Sequence, residues 1–275
     1  MAETNKYYLL VKEIPNWGGG DEPQIPNDEI WYTSSDGNVI TPYRTDYFSA
    51  NIVSNTYSDG KGVIKFDGDV TSIGNFAFQD CTGLTSITIP NSVTEIGNVA
   101  FQNCTGITSI EIPNSVTEIG DNAFDGCAGI TSVTIPNSVT RIGFGAFHSC
   151  TGLTSIEIPN NVTSIGSQTF WNCSGITSIT IPNSVTSIKS WAFYSCKGIT
   201  SITIPYNVTS IEGNAFRGCS GITFVKVEPS TPPKTENSVF DYCGKLTEIL
   251  VPSASVNAYK AASGWSNYAS KIKGF

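Results

Sequence analysis

The chain has 275 residues and a formal net charge of −8, and only 14% of its residues are charged, against about 25% in a typical soluble domain. Nucleic-acid binding is not expected, because counterion release needs clustered Lys and Arg, and an anionic membrane surface is disfavoured for the same reason. No apolar run approaches the roughly 18 residues of a membrane-spanning helix, so membrane insertion is not expected either.

Residues 1–27 are predicted to be an N-terminal strand and a flexible linker. Residues 7–14 have the composition of a short strand, and the stretch WGGGDEP that follows is typical of a linker. No apolar region follows a basic stretch at the start, as a secretory signal requires. Either a natural signal has been removed or replaced, or the protein never had one.

Residues 28–60 are predicted to form an N-terminal capping hairpin. Residues 30–33 and 39–40 are apolar or β-branched, and SDGN between them is a strong turn sequence. The first coil of a repeat array needs such a cap over its exposed core.

A repeat of 23 residues dominates the rest of the chain. Successive cysteines are 23 residues apart, with one final step of 24, and the phenylalanines keep the same interval. The cysteines are Cys81, Cys104, Cys127, Cys150, Cys173, Cys196, Cys219 and Cys243. A period in the low twenties is that of leucine-rich repeats, in which each repeat is one coil of a solenoid.

Residues 84–106 illustrate the predicted coil. LTSITI alternates apolar and polar residues and predicts a strand, which Pro90 ends because proline cannot donate to the ladder. Ala100 and Phe101 are predicted to begin a tight turn or a single helical turn that fills the interior, with Cys104 behind it. The fold class is therefore an α/β repeat solenoid with parallel strands on one face and short turns or helical turns on the other.

The solenoid is predicted to span residues 61–252, because residues 64–73 already carry the apolar pattern of the later coils. Residues 253–275 are predicted to be a helical C-terminal cap. The cysteines are expected to be buried free thiols, since equivalent positions on adjacent coils point in parallel, whereas a disulfide needs converging Cβ atoms. Disulfides and metal ligation remain the less favoured alternatives.

The phrase LTSITIPNSVTEIGNVAFQNCTG, with its recurring IPNSVTSI, AF and CTG, resembles the BspA-like leucine-rich repeats of bacterial surface proteins. This resemblance implies a surface or secreted protein of a host-associated bacterium, with a host or bacterial surface protein or a glycan as its partner. Standard leucine-rich repeats place an asparagine where Ser92 stands here, so their asparagine ladder is not expected. The resemblance implies no shared catalytic motif and no cofactor.

Two surfaces are candidates for binding. The position after each core phenylalanine varies between coils and holds His148, Trp171 and Tyr194 on three successive coils, with Trp191 in a nearby turn. These residues are expected to form one exposed aromatic stripe, although packing against a neighbouring turn would explain them equally. The outward face of the strands is hydroxyl-rich and mildly acidic, with Glu111 and Glu157 as candidates, and a merely solvated sheet face is the alternative.

Catalysis is not expected. His148 is the single histidine, so a Ser/His/Asp set has little material. The sequence has no phosphate-binding loop of the G-x-x-x-x-G-K-[ST] type and no EF-hand spacing, so no catalytic residue, metal ligand or cofactor is predicted. The favoured function is a non-catalytic adhesion or recognition module, and the alternative is a structural or attachment component of a larger assembly such as a virion or envelope spike. The oligomeric state is not predicted.

Overall fold

A computed structural model describes residues 25–236 and 238–275 of the chain. The predicted strand at residues 7–14 and the linker after it lie outside these described residues. Among the described residues, no helix is long and apolar enough to cross a bilayer.

The strands follow the repeat, with one longer and one two-residue strand in each regular coil. In chain order they are β1 (Glu29–Ser34), β2 (Ile52–Ser58), β3 (Lys61–Phe66), β4 (Ser72–Ile73), β5 (Leu84–Thr88), β6 (Glu95–Ile96), β7 (Ser109–Glu111), β8 (Glu118–Ile119), β9 (Ser132–Thr134), β10 (Arg141–Ile142), β11 (Ser155–Glu157), β12 (Ser164–Ile165), β13 (Ser178–Thr180), β14 (Ser187–Ile188), β15 (Ser201–Ile204), β16 (Ser210–Ile211), β17 (Phe224–Val227), β18 (Lys234–Thr235), β19 (Glu248–Val251) and β20 (Ile272–Gly274). The odd-numbered strands from β5 onward lie on one face, which we call the main sheet, and are hydrogen-bonded in three groups: β5 with the N-terminal strands, β7 to β13, and β15 to β19 with β20. The even-numbered strands from β4 to β18 form a narrow side sheet in two groups, β4 to β10 and β12 to β18.

Adjacent coils stack in register, so the predicted leucine-rich-repeat solenoid is confirmed. Ser109 of β7 pairs with Ser132 of β9, and Ser155 of β11 pairs with Ser178 of β13, each in parallel. The 23-residue period thus places equivalent residues beside each other, with about 4.8 Å between paired strands.

The third side of each coil is made of turns. Residues 98–103 and their equivalents contain no helix, so the expected α/β character is wrong for the repeats. Two positions in each coil adopt left-handed backbone, for example Val99 at φ 61° and Asn103 at φ 59°. A helical turn cannot continue through such residues, because a left-handed residue reverses the direction of its peptide groups.

The turn edge carries its own ladder of backbone hydrogen bonds between coils. The N–H groups of Phe76, Phe78 and Asp80 donate to carbonyls of the next coil, at 2.7–2.9 Å. The same forward donation recurs from coil to coil along this edge. Because right-handed and left-handed residues alternate in these turns, every second N–H group points toward the C-terminal end of the solenoid. These N–H groups hydrogen-bond neighbouring coils to each other along an edge that contains no β-strand.

Phenylalanines fill the interior as a continuous stack. Phe101 and Phe124 are fully buried, and their ring centroids lie 5.3 Å apart with parallel planes. The rings from Phe78 to Phe240 continue this stack with centroid distances of 5.1–5.7 Å and interplanar angles of 0–15°. Since the angles are small, successive coils are nearly superimposable at this edge.

The cysteines are free thiols, as predicted, and seven of the eight are buried. Their role is more specific than that of a small apolar filler. The thiol of Cys104 donates to the carbonyl of Phe78 in the preceding coil at 2.9 Å, and Cys127 does the same to Phe101 at 3.0 Å. The repeated thiol therefore binds each coil to the one before it. Burial raises the pKa of these thiols.

The glycine two residues after each cysteine from Cys104 to Cys219 is required by the approach of the preceding coil. A Cβ atom on Gly152 would lie 2.4 Å from the carbonyl oxygen of Ala128 and 3.0 Å from that of Ile130. Gly106 and Gly129 face the same obstruction, and none of the three has positive φ. The constraint is therefore contact between backbones rather than turn conformation.

The N-terminal cap differs from the predicted hairpin. Residues 39–40 form no strand, and the backbone N–H of Ile40 donates to the hydroxyl of Tyr32 instead. The hairpin joins β2 to β3 through Asp59 and Gly60, and β1 lies antiparallel between β3 and β5. The ring of Tyr32 occupies the space above Gly62, where a Cβ atom would approach it to 2.1 Å.

The C-terminal segment is mixed rather than wholly helical. A helix α1 (Val256–Ala261) is flanked by 3₁₀ turns at Ser253–Ser255 and Ser266–Tyr268. Strand β20 then adds to the main sheet in parallel with β19. Trp265 is buried against Phe240, the last ring of the interior stack, at 6.3 Å between centroids, so this segment covers the end of the core.

Candidate functional site

The variable position after each core phenylalanine forms one row along the turn edge, which we call the edge row. It consists of Gln79, Gln102, Asp125, His148, Trp171, Tyr194, Arg217 and Asp241. Each member follows a buried phenylalanine and precedes a left-handed residue such as Ser149 or Asn172. The turn therefore directs the phenylalanine inward and the next side chain outward in every coil.

Three large aromatic rings meet on this row. Trp171 and Trp191 stack in parallel with centroids 4.9 Å apart and planes 3° apart. Tyr194 packs against both, at 4.5 Å from Trp171 and 5.1 Å from Trp191. We call these three residues the aromatic cluster. His148 adjoins it, with its ring centroid 5.7 Å from that of Trp171.

The predicted stripe thus forms, but its rings are half-buried rather than fully exposed. The cause is mutual packing, because Trp191 comes from the next coil and lies on Trp171. Trp191 sits at a left-handed position with φ 65°, which a bulky residue adopts at a cost of about 1–2 kcal/mol. Asn122 and Asn214 suit the same position better.

A hydrogen-bonded chain of polar side chains precedes the aromatic cluster. The amide of Gln79 donates to Gln102 at 3.0 Å, and the amide of Gln102 donates to Asp125 at 2.7 Å. The other oxygen of Asp125 accepts from Nδ1 of His148 at 2.6 Å. The side chains of His148 and Asp125 are only 30% and 21% exposed. An ionised carboxylate can only accept, so Nδ1 of His148 is the donor in this contact.

Sequence reasoning identified the aromatic members of the row and missed this polar network. The sequence contained a signal for it. Gln79, Gln102 and Asp125 are 23 residues apart, so each amide can donate to an acceptor at the same position of the next coil. Arg217 was also missed as a site residue. Its guanidinium lies 4.8 Å from the ring centroid of Tyr242, which is 72% exposed, and it extends the row beyond the aromatic cluster.

Glu111 and Glu157 lie on a different face. Both are exposed at the ends of β7 and β11 on the main sheet. Glu111 pairs with Thr134 and Glu157 with Thr180, so the two carboxylates are separated by about two strand spacings, or ~10 Å. The structure does not bring them to the aromatic cluster, and their role stays a prediction.

The chemistry available at the row is that of binding. The residues supply aromatic surface, amides, two carboxylates, one imidazole and one guanidinium. Among the described residues, no group of three or more His, Cys, Asp or Glu is placed to hold a metal ion. Two open surface cavities, of about 560 and 370 Å³, lie at the N-terminal loop and beside Pro232, and neither includes the aromatic cluster.

Comparison with known proteins agrees with the repeat. The family described as BspA type leucine-rich repeat region matches residues 52–176 and 140–263, in six copies. No curated protein matches the sequence. The structure is similar to that of a leucine-rich cell surface protein of Faecalibacterium prausnitzii, with 29% identity, a TM-score of 0.56, and coverage of 86% of this chain and 72% of that one.

A second similar structure is the leucine-rich repeat protein of T. pallidum. The two sequences are 26% identical, the TM-score is 0.54, and the match covers 69% of this chain and 85% of the other. Both matches therefore extend over most of the repeat array of this chain.

Proposed function

Because the chain belongs to the BspA-type leucine-rich repeat family, we propose that it is a non-catalytic recognition module of a bacterial cell surface. Leucine-rich repeat proteins of this type are scaffolds that bind other proteins or recognise surfaces. The cell surface protein of F. prausnitzii named above supports the proposed location. The proposed partner is a host or bacterial surface protein or a glycan.

The single observation that carries this proposal is the aromatic cluster. Its rings stand at positions that hold other residue types in most coils, such as Gln79, Asp125 and Asn122, so the repeat itself does not require them. Trp171 and Tyr194 come directly after Phe170 and Phe193 in the sequence but are not part of the interior ring stack, because those phenylalanines already fill the core. Tryptophan and tyrosine dominate the energetics of binding surfaces, because they bury a large area with few rotatable bonds.

The test replaces both rings by the residue that the same position carries elsewhere. Trp171→Gln with Tyr194→Gln copies Gln79 and Gln102, so the fold should be retained. We expect the double variant to lose binding about tenfold or more on a panel of immobilised glycans and of host and bacterial surface proteins. Surface plasmon resonance measures the change, with circular dichroism as the check on folding.

Tyr206→Ser is the matched control, because Tyr206 is an aromatic residue 58% exposed in a different part of the coil. It should leave the binding unchanged. A wild-type protein that binds no member of the panel, or a double variant that binds as the wild type does, would contradict the proposal.

A further inference from the structure

The edge row has the period of the coil, because each coil contributes one residue to it. The phenylalanines directly beneath it are 5.1–5.7 Å apart and rotate by no more than 15° from one coil to the next. A ligand that repeats at the same interval therefore stays in register with the row over several coils. A ligand with another repeat loses register after one or two.

An extended peptide does not have this period, because its residues advance by about 3.3 Å and its side chains alternate in direction. A chain of β-1,4-linked six-membered sugar rings has this period in length, since one pyranose unit is about as long as one coil is thick. Successive units turn over, but both faces of each ring carry C–H groups that can pack on a side chain. The chemistry of the row agrees with this ligand. Sugars present apolar C–H faces, which pack on aromatic rings, and hydroxyl groups, which pair with planar amides and carboxylates.

The polar part of the row is already oriented before any ligand binds. The hydrogen bonds from Gln79 to Gln102, from Gln102 to Asp125 and from His148 to Asp125 fix each side chain. Binding then costs little side-chain entropy. Nε2 of His148 and the amide oxygen of Gln79 take no part in these hydrogen bonds, so both remain available to sugar hydroxyl groups, which can donate or accept.

Resting on the recognition function proposed above, we propose that the edge row binds a linear, uncharged, β-linked polysaccharide that runs along the solenoid with one sugar unit per coil. The aromatic cluster would hold the units on Trp171 and Tyr194, and the polar network would hold those on Gln102, Asp125 and His148. A neutral chain fits because the row carries charges of both signs, with Asp125 on one side of the aromatic cluster and Arg217 and Asp241 on the other.

Isothermal titration with the full chain tests the inference. The probes are cellohexaose, chitohexaose and β-1,4-mannohexaose, each with its disaccharide. We expect at least one hexasaccharide to bind, and to bind about tenfold or more tightly than its disaccharide, because it contacts more coils. Trp171→Gln should weaken the binding about tenfold, and Gln102→Ala should weaken it by a smaller factor, whereas Tyr206→Ser should not change it.

The outcomes separate this inference from the proposed function. If none of the three hexasaccharides binds, or if hexasaccharide and disaccharide bind equally, the polysaccharide assignment is overturned. Should the Trp171→Gln, Tyr194→Gln variant in that case still lose binding to a panel protein, the recognition function stands with a protein partner. If the double variant binds every probe as the wild type does, both proposals fail.

Discussion

Central and terminal coils contain the same residues at the same repeat positions, yet these residues have different surroundings. A Cβ atom on Gly152 would lie within 3.0 Å of two carbonyl oxygens of the preceding coil, whereas a Cβ atom on Gly83 in the first coil would meet only side-chain atoms, at 3.5 and 3.6 Å. Cys150 is buried and donates to Phe124, whereas Cys81 is partly exposed at the end of its column. The repeated sequence is therefore constrained by the neighbouring coil and not by the coil that carries it.

Alkaline unfolding should give the largest effect that tests this comparison. The seven buried thiols are neutral in the folded protein, because burial raises the pKa of each, to about 12 for Cys243. In the unfolded chain they ionise above a pKa of about 8.5. The stability that they contribute is therefore complete below about pH 8.5 and is lost as the pH rises toward the folded-state pKa.

At pH 9.5 each buried thiol should lower the free energy of unfolding by about 1.4 kcal/mol relative to neutral pH. The seven buried thiols should together lower it by about 10 kcal/mol, which is comparable to the whole stability of a domain. Urea unfolding at pH 7.0 and 9.5 measures the loss. The variant Cys150→Ala should lose about 1.4 kcal/mol less than the wild type between these two pH values. Equal urea midpoints at both pH values would show that the buried column is not neutral.

The glycine comparison should give the next largest effect. Gly152→Ala places a Cβ atom 2.4 Å from the carbonyl oxygen of Ala128, and relief requires two coils to separate. We expect a loss of about 3 kcal/mol in the free energy of unfolding. Gly83→Ala, at the equivalent position of the first coil, is the matched control, and its loss should stay within about 0.5 kcal/mol. Chemical denaturation measures the free energy of unfolding of both variants. Equal losses would mean that glycine is required by the conformation of its own coil and not by contact with the neighbouring coil.

The smallest expected effect is a gain. Val99 is a β-branched residue at φ 61°, where the equivalent positions hold Asn122 and Asn214. Val99→Asn should stabilise the protein by about 1 kcal/mol, because asparagine tolerates left-handed backbone. The reverse change, Asn122→Val, should destabilise it by a similar amount. Thermal unfolding of both variants measures the pair, and a loss of stability in Val99→Asn would show that packing of the valine outweighs its backbone strain.

The repeat made most of the fold predictable. Equal spacing of cysteine and phenylalanine requires equivalent residues to stack, so the parallel register, the buried thiols and the interior ring stack were all accessible from the sequence. The position of β1 was not. The alternation of Ile30 and Tyr32 indicates a strand with one buried face, but pairing between distant segments depends on space, here the space above Gly62.

The site was predictable in part for the same reason. Variation at one repeat position identified His148, Trp171 and Tyr194 as members of a single row. Their degree of burial was not predictable, because it depends on Trp191 adopting a backbone conformation that its side chain disfavours. The forward hydrogen bonds of the turn edge impose that conformation, and these bonds have no local signature in the sequence.

Those forward hydrogen bonds also give the protein an electrical polarity. All the peptide groups that join coils along the turn edge point the same way, so their dipoles add along the solenoid as they do in an α-helix. At one end Tyr43 donates its N–H to the carbonyl of Ala77, and at the other the N–H of Phe240 donates to the hydroxyl of Tyr268. Each terminus therefore neutralises one pole of the array, and coils can be inserted between them without creating a new unsatisfied pole.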